Sequence, residues 1–145
     1  MILLDTDHLT VLRHSNHPQY ASFAAKLQSS RDPLIAATVI SLEEQMRGWL
    51  AEIARRKKAP EQVPIYLKLT EMIDFYQEWE TAAFTQAAAD IFMDLRKKKV
   101  RIGTQDLKIA SIALASGALL LSANLVDFQK VPGLRVEDWL YPSSS

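Results

Sequence analysis

Four acidic residues stand where the pattern changes from an apolar run to a helical one: Asp5 and Asp7 in MILLDTDHL, Glu44 in SLEEQMRG and Asp106 in IGTQDLKIA. In an open parallel α/β sheet the carboxyl ends of the strands share one edge, and ligands bind there. Acids delivered to that edge from separate strand-to-helix junctions are candidates for one shared site. Two unpaired carboxylates about 4 Å apart repel by about 4 kcal/mol at an effective dielectric near 20, so gathering them requires a compensating cation. Oxygen donors select Mg²⁺ or Mn²⁺. Taken singly, each acid has a plainer role. Asp5, Thr6 or Asp7 can cap the helix that follows, and Glu44 and Asp106 in first turns gain about 0.3–1 kcal/mol from the helix dipole. Glu43 reads as a solvated neighbour. The conjunction of three junctions is what points to a site.

The densest basic cluster, Arg96, Lys97, Lys98, Lys99 and Arg101, directly precedes the Asp106 loop. Beside an acidic metal site it offers contacts to RNA phosphates; as a helix end it balances the dipole. The run Arg55 to Lys58 reads as a solvated helix end of the same kind.

The 17 Lys+Arg balance the 17 Asp+Glu, so no global field draws this chain to nucleic acid or membrane and any such binding must be local. Cysteine is absent, which excludes disulfides and thiolate metal sites, and His8, His14 and His17 lack zinc-type spacing. The start MILLDTD has neither a basic n-region nor a long apolar h-region, and no run reaches the roughly 20 apolar residues of a membrane span. The expectation is a cytoplasmic protein.

The elements that must position these residues follow from periodicity. Residues 1–141 are expected to form one domain, and the Ser-rich end, 142–145, to fray. Ile2 to Leu4 reads as a buried strand ending at Asp5, followed by helix through about Arg13. An amphipathic stretch, Tyr20 to Gln28, precedes a second strand from Leu34 to Ile40 and a helix from about Leu42 to Lys58. That helix carries a stripe of Met46, Trp49, Leu50 and Ile53, suited to core or subunit interface. Pro60 and Pro64 bracket a break before a helical Ile65 to Glu71, and Met72 to Tyr76 reads as a third strand. Glu80 to Lys99 reads as one long helix with Ala83, Ala87, Ile91 and Leu95 on a face. Thr104 can cap a buried helix from Gln105 to Ser116, stopped by Gly117. Ala118 to Ser122 is a fourth strand and Leu134 to Val136 an edge strand, with a short turn or helix at Leu125 to Gln129 between them. Trp79 and Trp139 read as core aromatics. Strands separated by helices argue for a three-layer α/β/α sandwich around a mostly parallel sheet.

A haloacid-dehalogenase-like phosphatase also begins with Asp-x-Asp, but its fifth position is Thr or Val, and here that position is Leu9. At Asp5, Glu44 and Asp106 the chain resembles the PIN-domain nucleases, and in particular the VapC-like toxins of bacterial toxin-antitoxin pairs. The matching segments are LLDTDHL, TVISLEEQMRG, RIGTQDLKIASIALASGALLLSAN and FQKVPGLRVEDW, which cover most of the chain outside about Arg55 to Glu80. Within SLEEQMRG the family's Ser/Thr-x-x-Glu, with Ser41 and Gly48, selects Glu44 over Glu43. The family's fourth acidic position, two residues beyond Ser122, is Asn124 here, with Asp127 three residues further on. The resemblance implies a PIN fold and an Mg²⁺- or Mn²⁺-dependent endoribonuclease with Asp5, Glu44 and Asp106 as metal-binding catalytic acids. It also implies an RNA substrate, tRNA among the candidates, a small VapB-like antitoxin and a homodimer. The competing reading is a PIN-fold scaffold or binding module without catalysis.

Overall fold

The computed structural model describes residues 1–32 and 34–141. The expected fraying of 142–145, and Pro33 within the turn before the second strand, lie outside them. Five strands alternate with helices: β1 (Ile2–Leu4), α1 (Thr6–Arg13), α2 (Tyr20–Ser29), β2 (Ile35–Thr38), α3 (Val39–Arg55), α4 (Ala59–Gln77), β3 (Glu80–Ala82), α5 (Gln86–Lys97), α6 (Thr104–Ser116), β4 (Leu119–Leu121), α7 (Leu125–Phe128) and β5 (Arg135–Glu137). The sheet order is β3-β2-β1-β4-β5, and every neighbouring pair is parallel.

The two-residue period of the strands sorts their side chains into two cores. Leu3, Ala36 and Leu120 face one way and bury the apolar sides of α5 and α6, through Ala88, Leu95, Leu107, Ala110 and Ala113. Ile2, Leu4, Ala37 and Leu121 face the other way, against Leu9 and Val11 of α1, Phe23 of α2, and Met72 and Tyr76 of α4. Helix α3 serves both, with Ile40 in the first core and Leu42, Met46 and Trp49 beside the second. This is the expected three-layer sandwich, with a sheet that is wholly parallel. Trp79 and Trp139 pack half-buried against the second core. Among the described residues no helix is long and apolar enough to cross a membrane.

Three expectations give way to the structure. Met72 to Tyr76 is not a strand: it continues α4, whose buried Ile65, Met72 and Tyr76 recur at helical spacing, and Pro64 sits inside that helix. The third strand lies later, at Glu80–Ala82, so the expected long helix from Glu80 is instead a strand and then α5. Thr85 separates them by accepting a hydrogen bond from the Ala88 N–H at 3.1 Å. Ala83 therefore lies outside the helix and Ala87 is exposed, while Ala88 and Leu95 fill the core. Helix α3 starts three residues early, because the Thr38 hydroxyl caps it by accepting from the Ser41 N–H at 3.1 Å. The cap overrides the strand preference of Val39 and Ile40.

Candidate active site

The chain builds β2 and β3 on one side of β1 and β4 and β5 on the other. The order therefore reverses between β1 and β4, and ligands of open parallel sheets bind at the carboxyl end of such a reversal. Asp5 follows β1 and Ser122 follows β4 at that point. The Asp5 N–H continues the ladder to the Leu121 carbonyl at 2.9 Å, and the Ser122 N–H to the Glu137 carbonyl at 3.0 Å.

Asp5 is only 8% exposed. It caps α1, one carboxylate oxygen accepting from the Thr6 N–H at 2.8 Å while the other accepts from the Ser122 hydroxyl at 2.8 Å. Burial, then the charge of Asp7, raise its pKa to about 6 against the lowering effect of those bonds. Glu44, in the second turn of α3, is half-buried and also raised, by burial first and then by the charges of Asp5, Asp106 and Glu43. Asp106, in the first turn of α6, is raised by burial and by Asp127, against a hydrogen bond from Asn124. The three predicted acids thus come from three segments to one electrostatic neighbourhood.

The two further candidates join it. The Asn124 amide donates to both Asp106 and Asp127 at 3.2 Å, and its backbone N–H donates to the Ser122 hydroxyl at 3.0 Å. Asp127 is held below the ordinary carboxylate range by Asn124 and by Lys130. Asn124 therefore ties together two carboxylates that would otherwise repel.

The partners of some contributors carry no local signal in the sequence. Glu43, read as a solvated neighbour, accepts from Gln105 at 2.7 Å across 62 residues and from Arg47 at 2.7 Å. It links α3 to α6 and so holds the helices that carry Glu44 and Asp106. Asp7 accepts from the Ala123 N–H at 3.0 Å and bonds the ring of fully buried His8 at 2.5 Å. His8 Nε2 accepts from the Trp139 N–H at 3.1 Å, so its Nδ1 carries the proton donated to Asp7. Asp7 and His8 brace the β4–α7 turn and the last segment against α1.

Thr104 is not the cap of α6; that position is Gly103. The Thr104 hydroxyl accepts from the Arg96 guanidinium at 2.9 Å. Of the basic cluster, Arg96, Lys99 and Arg101 line an open pocket beside Asp127, whereas Lys98 pairs with Asp94 at 2.9 Å and Lys97 lies outside the pocket lining.

The donors here are chemically those of a hard cation: carboxylate, hydroxyl and amide oxygens, with no cysteine in the chain and His8 committed elsewhere. The buried Thr6 hydroxyl, adjacent to Asp5, has no protein partner. Among the described residues no three acidic or imidazole groups stand close enough to enclose one ion by themselves. Mg²⁺ keeps several waters and accepts few direct carboxylates.

A wholly parallel α/β sandwich with acids brought to its switch point defines an α/β protein with a candidate ligand site at that edge. No family model matches the chain. It is 30% identical over 138 residues to ribonuclease VapC2 of Rickettsia felis, covering 94% of this chain and 96% of that one. It is 28% identical over 141 residues to the tRNA(fMet)-specific endonuclease VapC of Salmonella typhimurium, covering 94% and 96%. Among solved structures, the Rickettsia felis VapBC2 complex bound to a promoter DNA fragment aligns with a TM-score of 0.69 at 25% identity, over 96% of this chain and 99% of that one. This chain belongs to the VapC ribonucleases, the RNA-cleaving PIN-fold toxins of toxin-antitoxin systems.

Proposed function

We propose that this chain is an Mg²⁺- or Mn²⁺-dependent endoribonuclease with Asp5, Glu44 and Asp106 as its catalytic acids, kept in check by a VapB-like antitoxin. One observation carries the reading: acids from three distant segments are brought to the β1/β4 switch point, where burial and the charges of neighbouring carboxylates raise all three. That is an arrangement in need of a cation. Asp5, Glu44 and Asp106 would hold the ion, with the Asn124 carbonyl and Asp127 as further oxygens. Bound there, such an ion supplies an activated water and neutralises charge on the scissile phosphate.

The residues set up that chemistry. Each Asp5 oxygen accepts one hydrogen bond, which fixes the carboxylate and leaves further lone pairs free. Asn124 orients Asp106, and the Glu43–Gln105 bond fixes the spacing of α3 and α6. Residues 1–141 act as one domain, since both cores share one sheet. The substrate class to try first is tRNA, on the name of the Salmonella relative. The antitoxin would set a cationic side chain, best an Arg, against the acids, since a guanidinium pairs with carboxylates bidentately. A homodimer and a cytoplasmic location complete the reading.

The purified chain should cleave single-stranded or looped RNA with Mg²⁺ or Mn²⁺ and stop on addition of EDTA, and Asp106→Asn should be inactive. Specific cleavage that survives exhaustive chelation, or full activity of Asp106→Asn, would overturn it. Expression without a partner should arrest growth, and a small protein encoded nearby should relieve the arrest.

A further inference from the structure

The pocket next to the acidic site has the opposite sign. It has a volume of about 690 Å³ and is bounded by Arg96, Lys99, Arg101, Gly103 and Thr104, with Asp127 as its one carboxylate. Asp127 is already engaged, by Asn124 at 3.2 Å and Lys130 at 3.4 Å. The three cations have no acidic partner among the described residues, although neighbouring Lys98 does. Arg96 is held in place, its guanidinium bonded to Thr104 and lying 5.0 Å from the centre of the Phe92 ring. In a chain of zero formal charge, three unpaired cations around one concavity amount to a local anion trap.

The backbone around the pocket points the same way. Helix α5 ends with the Val100 N–H bonded to the Leu95 carbonyl at 3.1 Å and the Lys99 N–H to the Arg96 carbonyl at 3.1 Å. That bonding puts Lys99, at φ 60, in the left-handed position that glycine ordinarily fills. Helix α6 closes in the same way with Gly117 at φ 62. The first turn of α6, opening on the pocket at Gly103 and Thr104, has no side-chain cap to occupy its N–H groups.

We propose that this pocket is a phosphate subsite, holding an RNA backbone phosphate other than the one being cut. It rests on the reading of the chain as an RNA-cleaving enzyme and names how that enzyme grips its substrate. The shared wall fixes the relation of the two sites: Asp127 lines the pocket, and Asn124 joins Asp127 to Asp106. An RNA strand can thus place one phosphate among the cations while its neighbour lies over the acids.

The test measures binding of a fluorescein-labelled single-stranded RNA by anisotropy in EDTA, across a range of salt, for the full chain and for Lys99→Gly combined with Arg101→Gln. Each neutralised phosphate adds about 0.7 to the slope of log affinity against log salt for single strands, so the double variant, by losing this one phosphate, should lose about 0.7 from the slope and bind about fivefold more weakly near 0.1 M salt. It should melt no lower than the parent, because glycine relieves the left-handed strain at residue 99. A control, Lys57→Gln with Lys58→Gln, removes as much charge beyond the C-terminus of α3 at Arg55, which lies about 17 Å along the helix from Glu44; it should change neither quantity. Cleavage by the double variant with Mg²⁺ should show a raised KM and a nearly unchanged kcat.

Equal losses in the control and the double variant would overturn the subsite in favour of diffuse attraction. So would parental affinity in the double variant of a chain that still cuts RNA. Inorganic phosphate titrated into the parent should shift the backbone amide resonances of Lys99 to Thr104. If those shifts occur in a chain that cuts no RNA, the anion site stands and the ribonuclease reading falls. If they are missing in a chain that cuts RNA, the subsite falls alone.

Discussion

Replacing Asp5 by Asn in the metal-free protein should make it more stable at pH 8 while abolishing cleavage. Burial and the charges of Asp7 and Asp106 move the Asp5 pKa from 3.8 to about 6. A folded-state pKa above the unfolded one means that the native state binds the proton more tightly. The stability associated with Asp5 is therefore fully present below about pH 4 and is lost as pH rises through about 6. At 1.36 kcal/mol per pKa unit, the ionised carboxylate costs the metal-free fold about 3 kcal/mol at pH 8. Asn keeps the volume and the cap, since it accepts from the Thr6 N–H about as well as Asp does. It forfeits the Ser122 bond, worth about 0.5–1.5 kcal/mol. The net gain is about 1.5–2.5 kcal/mol, or about 4–8 °C in Tm for a chain of this size. At pH 4 the two proteins should melt together, or the variant slightly lower.

The assay is a set of melting curves in EDTA from pH 4 to 8, repeated with excess Mg²⁺ and run beside RNA cleavage. Mg²⁺ should raise the parent's Tm by mass action and leave the variant nearly unmoved. A variant offset from the parent by the same amount at every pH, still active and still responsive to Mg²⁺, would show that Asp5 is a helix cap alone. Most of the proposed chemistry would go with it.

Asn124→Asp should act in the opposite direction. It removes the amide that donates to both Asp106 and Asp127 and adds a charge between them, so the metal-free variant should lose about 2 kcal/mol at pH 8. It should recover most of that as pH falls toward 5, and gain more from Mg²⁺ than the parent does; paired melts with and without the ion would show this. Thr38→Ala should cost about 1–2 kcal/mol in urea denaturation through the lost α3 cap, with Thr38→Ser restoring most of it. Cleavage should fall with the former, because the same cap sets the start of the helix that carries Glu44.

The acids were legible because each sits at a junction that a local pattern marks. Ile2 to Leu4 is an apolar run ending at Asp5, and a helix of alternating small and apolar residues follows Asp106. Sequence pattern and structure diverge where tertiary pairing decides between periods. Glu80 to Ala82 becomes a strand through its register with Ala36 to Thr38; three residues with a charged start carry no strand signal of their own. Met72 to Tyr76 is rich in strand-favouring types, yet Met72 and Tyr76 lie four residues apart on the buried face of α4. What no local pattern could supply is the bracing. The Glu43–Gln105 bond spans 62 residues and the Ser122–Asp5 bond 117, and nothing in the segments around Glu43, Gln105 or Ser122 marks them as partners of those bonds. Those bonds set the spacing of the acids, so a chain can keep Asp5, Glu44 and Asp106 and still lose the site by losing Glu43 or Ser122. Sequence identifies the groups that do chemistry more readily than the groups that hold them at working distance, because the former are restricted in type and the latter only in position.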